Sequence, residues 1–100
     1  MEKCRQVYFN GNFVDESEAK ISIFDSALMF GDMVFEMTRS FNKKQFKLKE
    51  HIDRLYSSIE HVKIPIKISK KEMEEICYKT IERNELVFSE TDEHRLMINI

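Results

Sequence analysis

Glycine and proline are nearly missing from this chain of 100 residues, which has only Gly11, Gly31 and Pro65. That scarcity excludes a Gly-rich phosphate loop and low-complexity linkers. Tryptophan is absent, and no apolar run nears the length that crosses a bilayer. The opening "MEKCRQ" is polar and argues against a secretory signal. Cysteine is scarce too. Cys4 and Cys77 have neither metal-ligand nor redox-motif spacing, and read as free thiols in a reducing cytoplasm. His51, His61 and His94 lack zinc spacing with cysteines or each other, so no metal is expected. An excess of one charge is also lacking. The net charge is −2, with Lys and Arg spread among Asp and Glu, so no basic stripe marks a nucleic-acid surface.

What is present suits a globular chain: 42% hydrophobic and 34% charged residues. This length makes at most one domain, with a real core but marginal stability. In "QVYFNGNFV", Asn10-Gly11 lies between two β-like runs and predicts a hairpin with a type I′ turn. "DESEAK" is polar and reads as a loop, and "ISIF" is short and β-like. Asp25 is placed to cap the brief turn "SALMF". Residues 33–41 then alternate, with Met33, Phe35, Met37, Arg39 and Phe41 on one face and Val34, Glu36, Thr38 and Ser40 on the other. "NKKQ" is a polar reverse connection, and "QFKL" resumes the alternation. Met33–Phe41 and Gln45–Leu48 are therefore expected as antiparallel neighbours.

The period then changes. In "KEHIDRLYSSIEHVKI", Ile52, Leu55, Tyr56, Ile59 and Val62 recur at helical spacing, and Pro65 closes the element. "SKKE" is a capping box, with Ser69 ahead of a second helix and Glu72 at its third position. Met73, Ile76, Cys77 and Ile81 form that helix's stripe. "ETDE" reads as a loop and "HRLMINI" as a strand. The expected fold is α+β, an antiparallel β-sheet with two α-helices packed on one face. A domain that stops on an apolar strand at Ile100 reads as truncated.

Two arginines invite a chemical reading. Arg39 interrupts an apolar strand face. It is either a strand-end residue with its stem on apolar surface and its head in water, or a cation meeting carboxylate or phosphate. His51, Arg54 and Ser58 fall at i, i+3 and i+7 on one helical face beside the apolar stripe. Arg54 is thus either half-buried and aimed at an anion, or solvated and paired with Glu50 or Asp53. Ser57 and Ser58 lack a nucleophile-elbow sequence.

"YFNGNFV", "ISIFDSALMFGDMVFEMTRSF" and "HIDRLYSS" occur in the order and spacing of the fold-type IV, or class IV, aminotransferases. Over about Val7 to Ile100 the chain resembles the N-terminal small domain of these pyridoxal-phosphate enzymes. The resemblance implies an enzyme that moves an amino group between an amino acid and a 2-oxo acid, usually as a homodimer. It implies Arg54, from "H-x-x-RL", as the residue that binds the phosphate of pyridoxal 5′-phosphate. Phe30, Phe35, Met37 and Arg39 would shape the substrate pocket, with Phe30 reaching across the dimer interface and Met97 pointing at the same pocket.

Met37 stands where branched-chain enzymes of the family typically carry glycine, which puts branched-chain specificity in doubt. The family's Schiff-base lysine lies in a second domain beyond residue 100, and none of the lysines here takes its place. Residues 1–100 alone are therefore expected to be inactive, because that amine must engage the cofactor before transamination. Two rivals stand beside this reading. One is an aminodeoxychorismate lyase-type enzyme on the same fold, and the other is a non-catalytic scaffold or dimerisation domain.

Overall fold

A computed structural model describes residues 4–100. The chain is α+β, with two antiparallel sheets and helices. Strands β1 (Gln6–Phe9) and β2 (Asn12–Asp15) form the first hairpin, with Val7 opposite Val14 and Tyr8 opposite Phe13. Its turn has positive φ at both Asn10 (48°) and Gly11 (95°), as the Asn-Gly pair predicts. The Tyr8 and Phe13 rings meet edge to face, and the Arg83 guanidinium lies 4.2 Å from the centre of the Phe13 ring.

Helix α1 (Ser26–Phe30) is a short turn. Asp25 accepts from the Ala27 N–H at its start, and Gly31 at φ 71° ends it in the left-handed region. The "ISIF" segment before it is not a strand. No ladder pairs it among the described residues, and Ser22 Oγ instead accepts from the Phe24 N–H. Ile21, Ile23 and Phe24 are all exposed.

The second sheet has the order β4-β3-β5, built from β3 (Phe35–Phe41), β4 (Lys44–Gln45) and β5 (Arg95–Asn99). Val34 and Ile100 continue the β3–β5 ladder by one mutual backbone pair. β4 is shorter than the alternation of "QFKL" suggests, because Lys47 turns left-handed (φ 55°) and Leu48 opens the next helix. Asn42 and Lys43 form the β3–β4 turn, both at positive φ. The Glu93 carboxylate fixes that turn by accepting from the Asn42 and Lys43 N–H groups and from the Ser40 hydroxyl.

Helix α2 (Leu48–Val62) buries Leu48, Ile52, Leu55 and Ile59 against β3. Each such side chain contributes on the order of 2 kcal/mol by leaving water. Lys63 at φ 60° ends the helix before Pro65 is reached, and Val62 is exposed rather than part of the stripe. Helix α3 (Lys70–Arg83) begins with the Ser69–Glu72 capping box, both reciprocal bonds present. It packs on α2 and reaches β1, burying Met73 and Cys77, with Ile76 and Ile81 half-buried. Asn84 ties its end to the hairpin by bonding both the N–H and the carbonyl of Gln6. Residues of α2, α3 and Ile98 of β5 form one core.

Candidate functional site

The alternation of β3 sends Glu36, Thr38 and Ser40 inward under α2, while Phe35, Met37, Arg39 and Phe41 stay on the open face. An apolar strand face thus lies outside and a polar one inside. The inner face is satisfied polar group by polar group. Thr38 hydrogen-bonds Gln45, and Ser40 donates to Glu93 while accepting from the His94 N–H.

Glu36 is the charged member of that face, and only 6% of its surface is exposed. A carboxylate so placed requires a cation and hydrogen-bond donors. α2 supplies them from adjacent turns of one face, the Arg54 guanidinium and the His51 imidazole. Arg54 Nε donates to Glu36 Oε2 and Arg54 Nη2 to Oε1, each at 2.7 Å. His51 Nδ1 also lies 2.7 Å from Oε1, so the proton on that nitrogen points at the carboxylate. The Arg54 hydrogen bond holds the Glu36 carboxyl below its ordinary range against the opposing effect of burial, and His51 adds to the lowering. Glu36 in turn raises the pKa of Arg54.

The Arg54 side chain is 69% exposed, so Glu36 grips it from one side only. A guanidinium has five N–H donors in a planar fork. Glu36 takes one on Nε and one on Nη2, and Nη1 has no partner among the described residues. The free edge is the one that binds an oxyanion through two parallel bonds. Arg54 lines a shallow groove with Val34, Ser57, Ser58, His61 and Val62. A free guanidinium edge beside two serine hydroxyls and an imidazole suits a phosphate group, so these residues fit the phosphate of pyridoxal 5′-phosphate. Asp53, a sequence candidate for pairing with Arg54, faces Lys70 instead.

Phe35, Met37 and Arg39 share the opposite, open face of the sheet. β5 adds Met97 directly across from Met37. Arg39 stacks its guanidinium 4.2 Å from the centre of the Phe41 ring and donates from Nε to the Ser40 carbonyl. The structure therefore brings four pocket candidates together and places Arg54 on the other side of β3. Phe30 lies on α1 with its ring exposed, outside the Arg54 groove.

Sequence reasoning missed two residues. Glu36 was hidden because its partners come from a different element, although a carboxylate at the middle of a strand is a signal in itself. Arg95 lies opposite Arg39 on the open face, and the alternation of "RLMIN" was enough to place it beside Met97. Like charges in directly opposed positions repel each other, and the nearby Glu93 carboxylate offsets part of that repulsion at Arg39.

Comparison with known proteins gives one consistent family. The sequence profile described as Amino-transferase class IV matches residues 33–100. A putative branched-chain-amino-acid aminotransferase of Methanocaldococcus jannaschii is 47% identical over 81 residues, covering 81% of this chain and 28% of that protein. A D-alanine aminotransferase of Listeria monocytogenes is 37% identical over 81 residues, again 81% of this chain and 28% of its own length. The crystal structure of the Escherichia coli branched-chain amino acid aminotransferase superposes with a TM-score of 0.84 at 28% identity, over 97% of this chain and 32% of that one. The T.th. branched-chain amino acid aminotransferase with pyridoxamine 5′-phosphate gives 0.74 at 35% identity, over 84% and 29%. The chain spans about a third or less of the relatives it matches.

Proposed function

The chain belongs to the class IV amino-transferase family, and on that premise we propose that residues 1–100 are the N-terminal small domain of a pyridoxal-phosphate-dependent aminotransferase. The whole enzyme moves an amino group between an amino acid and a 2-oxo acid. The observation that carries this reading is the Arg54 guanidinium, fixed on one edge by Glu36 and free on the other beside the groove.

When bound, the cofactor supplies an electron sink for the substrate carbanion. This domain's part is to bind and to shape. Arg54 holds the cofactor phosphate, with Ser57, Ser58 and His61 at hand in the same groove. Phe35, Met37 and Met97 form an apolar wall for the substrate side chain, and Phe30 reaches the pocket of a partner subunit in a homodimer. Arg39, with Arg95 opposite, meets a substrate carboxylate. The lysine that anchors the cofactor belongs to a second domain, so residues 1–100 alone are inactive. The enzyme works in the cytoplasm, as two cysteines left unpaired suit a reducing compartment.

Arg54→Ala in the full-length protein tests the assignment. Affinity for pyridoxal 5′-phosphate should fall by at least about tenfold, while thermal stability of the apo form changes less. Unchanged affinity would sink the phosphate role. An in-frame stop codon directly after Ile100 would sink the enzyme reading for this polypeptide.

A further inference from the structure

We propose that Glu36 is a positioning residue for the cofactor phosphate, acting through Arg54; this rests on the phosphate role of Arg54 just given. An arginine side chain that is 69% exposed has many rotamers open to it, and ordering it on a ligand costs side-chain entropy. Glu36 meets that cost before any ligand arrives. Its carboxylate is buried, and both of its oxygens are engaged by Arg54, on Nε and Nη2. His51 Nδ1 donates to Oε1 as well, so the carboxylate itself cannot swing away. The backbone of β3 fixes one end of this arrangement and α2 fixes the other.

The pairing also selects which edge of the fork remains. With Nε and one Nη2 hydrogen taken, the remaining Nη2 hydrogen and Nη1 form an end-on pair suited to a second, bidentate oxyanion. A guanidinium without Glu36 presents two paired edges to a phosphate, side-on through Nε and Nη2 and end-on through Nη2 and Nη1, and Glu36 leaves only the second open. Charge alone argues the reverse. An anion beside a phosphate site repels the phosphate, so if Glu36 acted only through its charge, removing it would tighten binding. The two effects have opposite signs, and the sign is measurable.

The experiment compares pyridoxal 5′-phosphate with pyridoxal, which lacks the phosphate, binding to the full-length apo protein by absorbance titration. Glu36→Gln should weaken pyridoxal 5′-phosphate by about tenfold and leave pyridoxal within about twofold. In an Arg54→Ala background the same change should have no further effect, since Glu36 acts through that side chain. Glu36→Asp keeps the charge but shortens the reach, and should reproduce the phosphate-specific loss if Glu36→Gln does not fold. Unchanged or tighter pyridoxal 5′-phosphate binding overturns the proposal, as does equal weakening of both ligands. The two readings fail separately. If Arg54→Ala weakens the phosphate ligand and the Glu36 variants do not, only the positioning role is lost. If Arg54→Ala itself has no effect, the phosphate assignment falls first.

Discussion

Met37 on β3 stands directly across from Met97 on β5, and both thioethers lie on the open face of the sheet. Phe35 extends this apolar strip on one side, and the opposed pair Arg39 and Arg95 bounds it on the other. Methionine is unbranched and fills irregular space, so two facing methionines give a wall that adapts to its occupant. In the full-length enzyme, Met37→Ala should raise kcat/KM for amino acids with larger side chains relative to alanine by about tenfold, the scale set by one or two methylenes. Arg39→Ala should shift preference away from substrates with a second carboxylate and leave cofactor affinity intact. Steady-state kinetics over a series of amino acids, with a cofactor titration for each variant, reads both. Equal losses across all substrates would make these residues structural.

The open face of β3 was legible in the sequence because a strand's period of two fixes which residues share a face. Phe35, Met37 and Arg39 needed only that rule to be grouped, and their reading as a pocket wall came from the family resemblance. The surroundings of Arg54 were half legible. The helical spacing put His51 and Arg54 on one face, but nothing local to α2 names the partner. Glu36 lies 18 residues from Arg54 in sequence, and only the packing of α2 on β3 joins them. Glu50 and Asp53 were nearer in sequence and chemically equivalent, so spacing alone favoured a local pair over the one that forms.

Acidification should expose the energetics of that pair. The Glu36 carboxyl is held below its ordinary 4.5, first by the Arg54 hydrogen bond. The unfolded chain therefore binds this proton more readily than the folded one. The stabilisation is fully present above the ordinary carboxylate range and is lost as pH falls through the lowered folded value. Asp92 and Glu93 are also lowered, by hydrogen bonds from Ser89 and from the Lys43 backbone, and add acid sensitivity of the same sign. Arg54→Ala removes the larger part of the Glu36 contribution, leaving the smaller His51 part and the Asp92 and Glu93 contributions in place. Thermal melts from pH 7 to pH 3 should show this variant less stable than the parent at pH 7, with the gap narrowing in acid. A gap that stays constant with pH would mean that Arg54 stabilises by packing and not by charge.

Local rules carried the turns and caps, and failed where tertiary pairing decides. Asn10-Gly11, Asp25 and the Ser69–Glu72 box each act within a few residues, and each is in place. "ISIF" has β-branched residues but no strand beside it among the described residues, and a strand without a ladder leaves its backbone groups unpaired. Pro65 was a sound stop signal in the wrong place, since Lys63 had already turned left-handed. On α3 the stripe is buried unequally: Met73 and Cys77 belong to the core shared with α2, while Ile76 and Ile81 are only half-buried.

Cys77 offers a probe of that helix contact. It is 3% exposed, and burial, with some help from Glu74, pushes its thiol up to about 11. At pH 8 only about one thiol in a thousand at such a site is ionised, and the thiolate is the reactive form. Cys4 is exposed. An aromatic disulfide reagent at pH 8 should therefore modify Cys4 within minutes and Cys77 at least about a hundredfold more slowly, with mass spectrometry identifying the labelled residue. Denaturant should abolish the difference. The slow reaction would then report local opening of α3 from α2, because the thiol can ionise and be reached only when that contact parts. Equal rates under native conditions would show that α3 is not docked in solution. Met73→Ala, which empties the neighbouring core position on α3, should speed Cys77 labelling without altering Cys4.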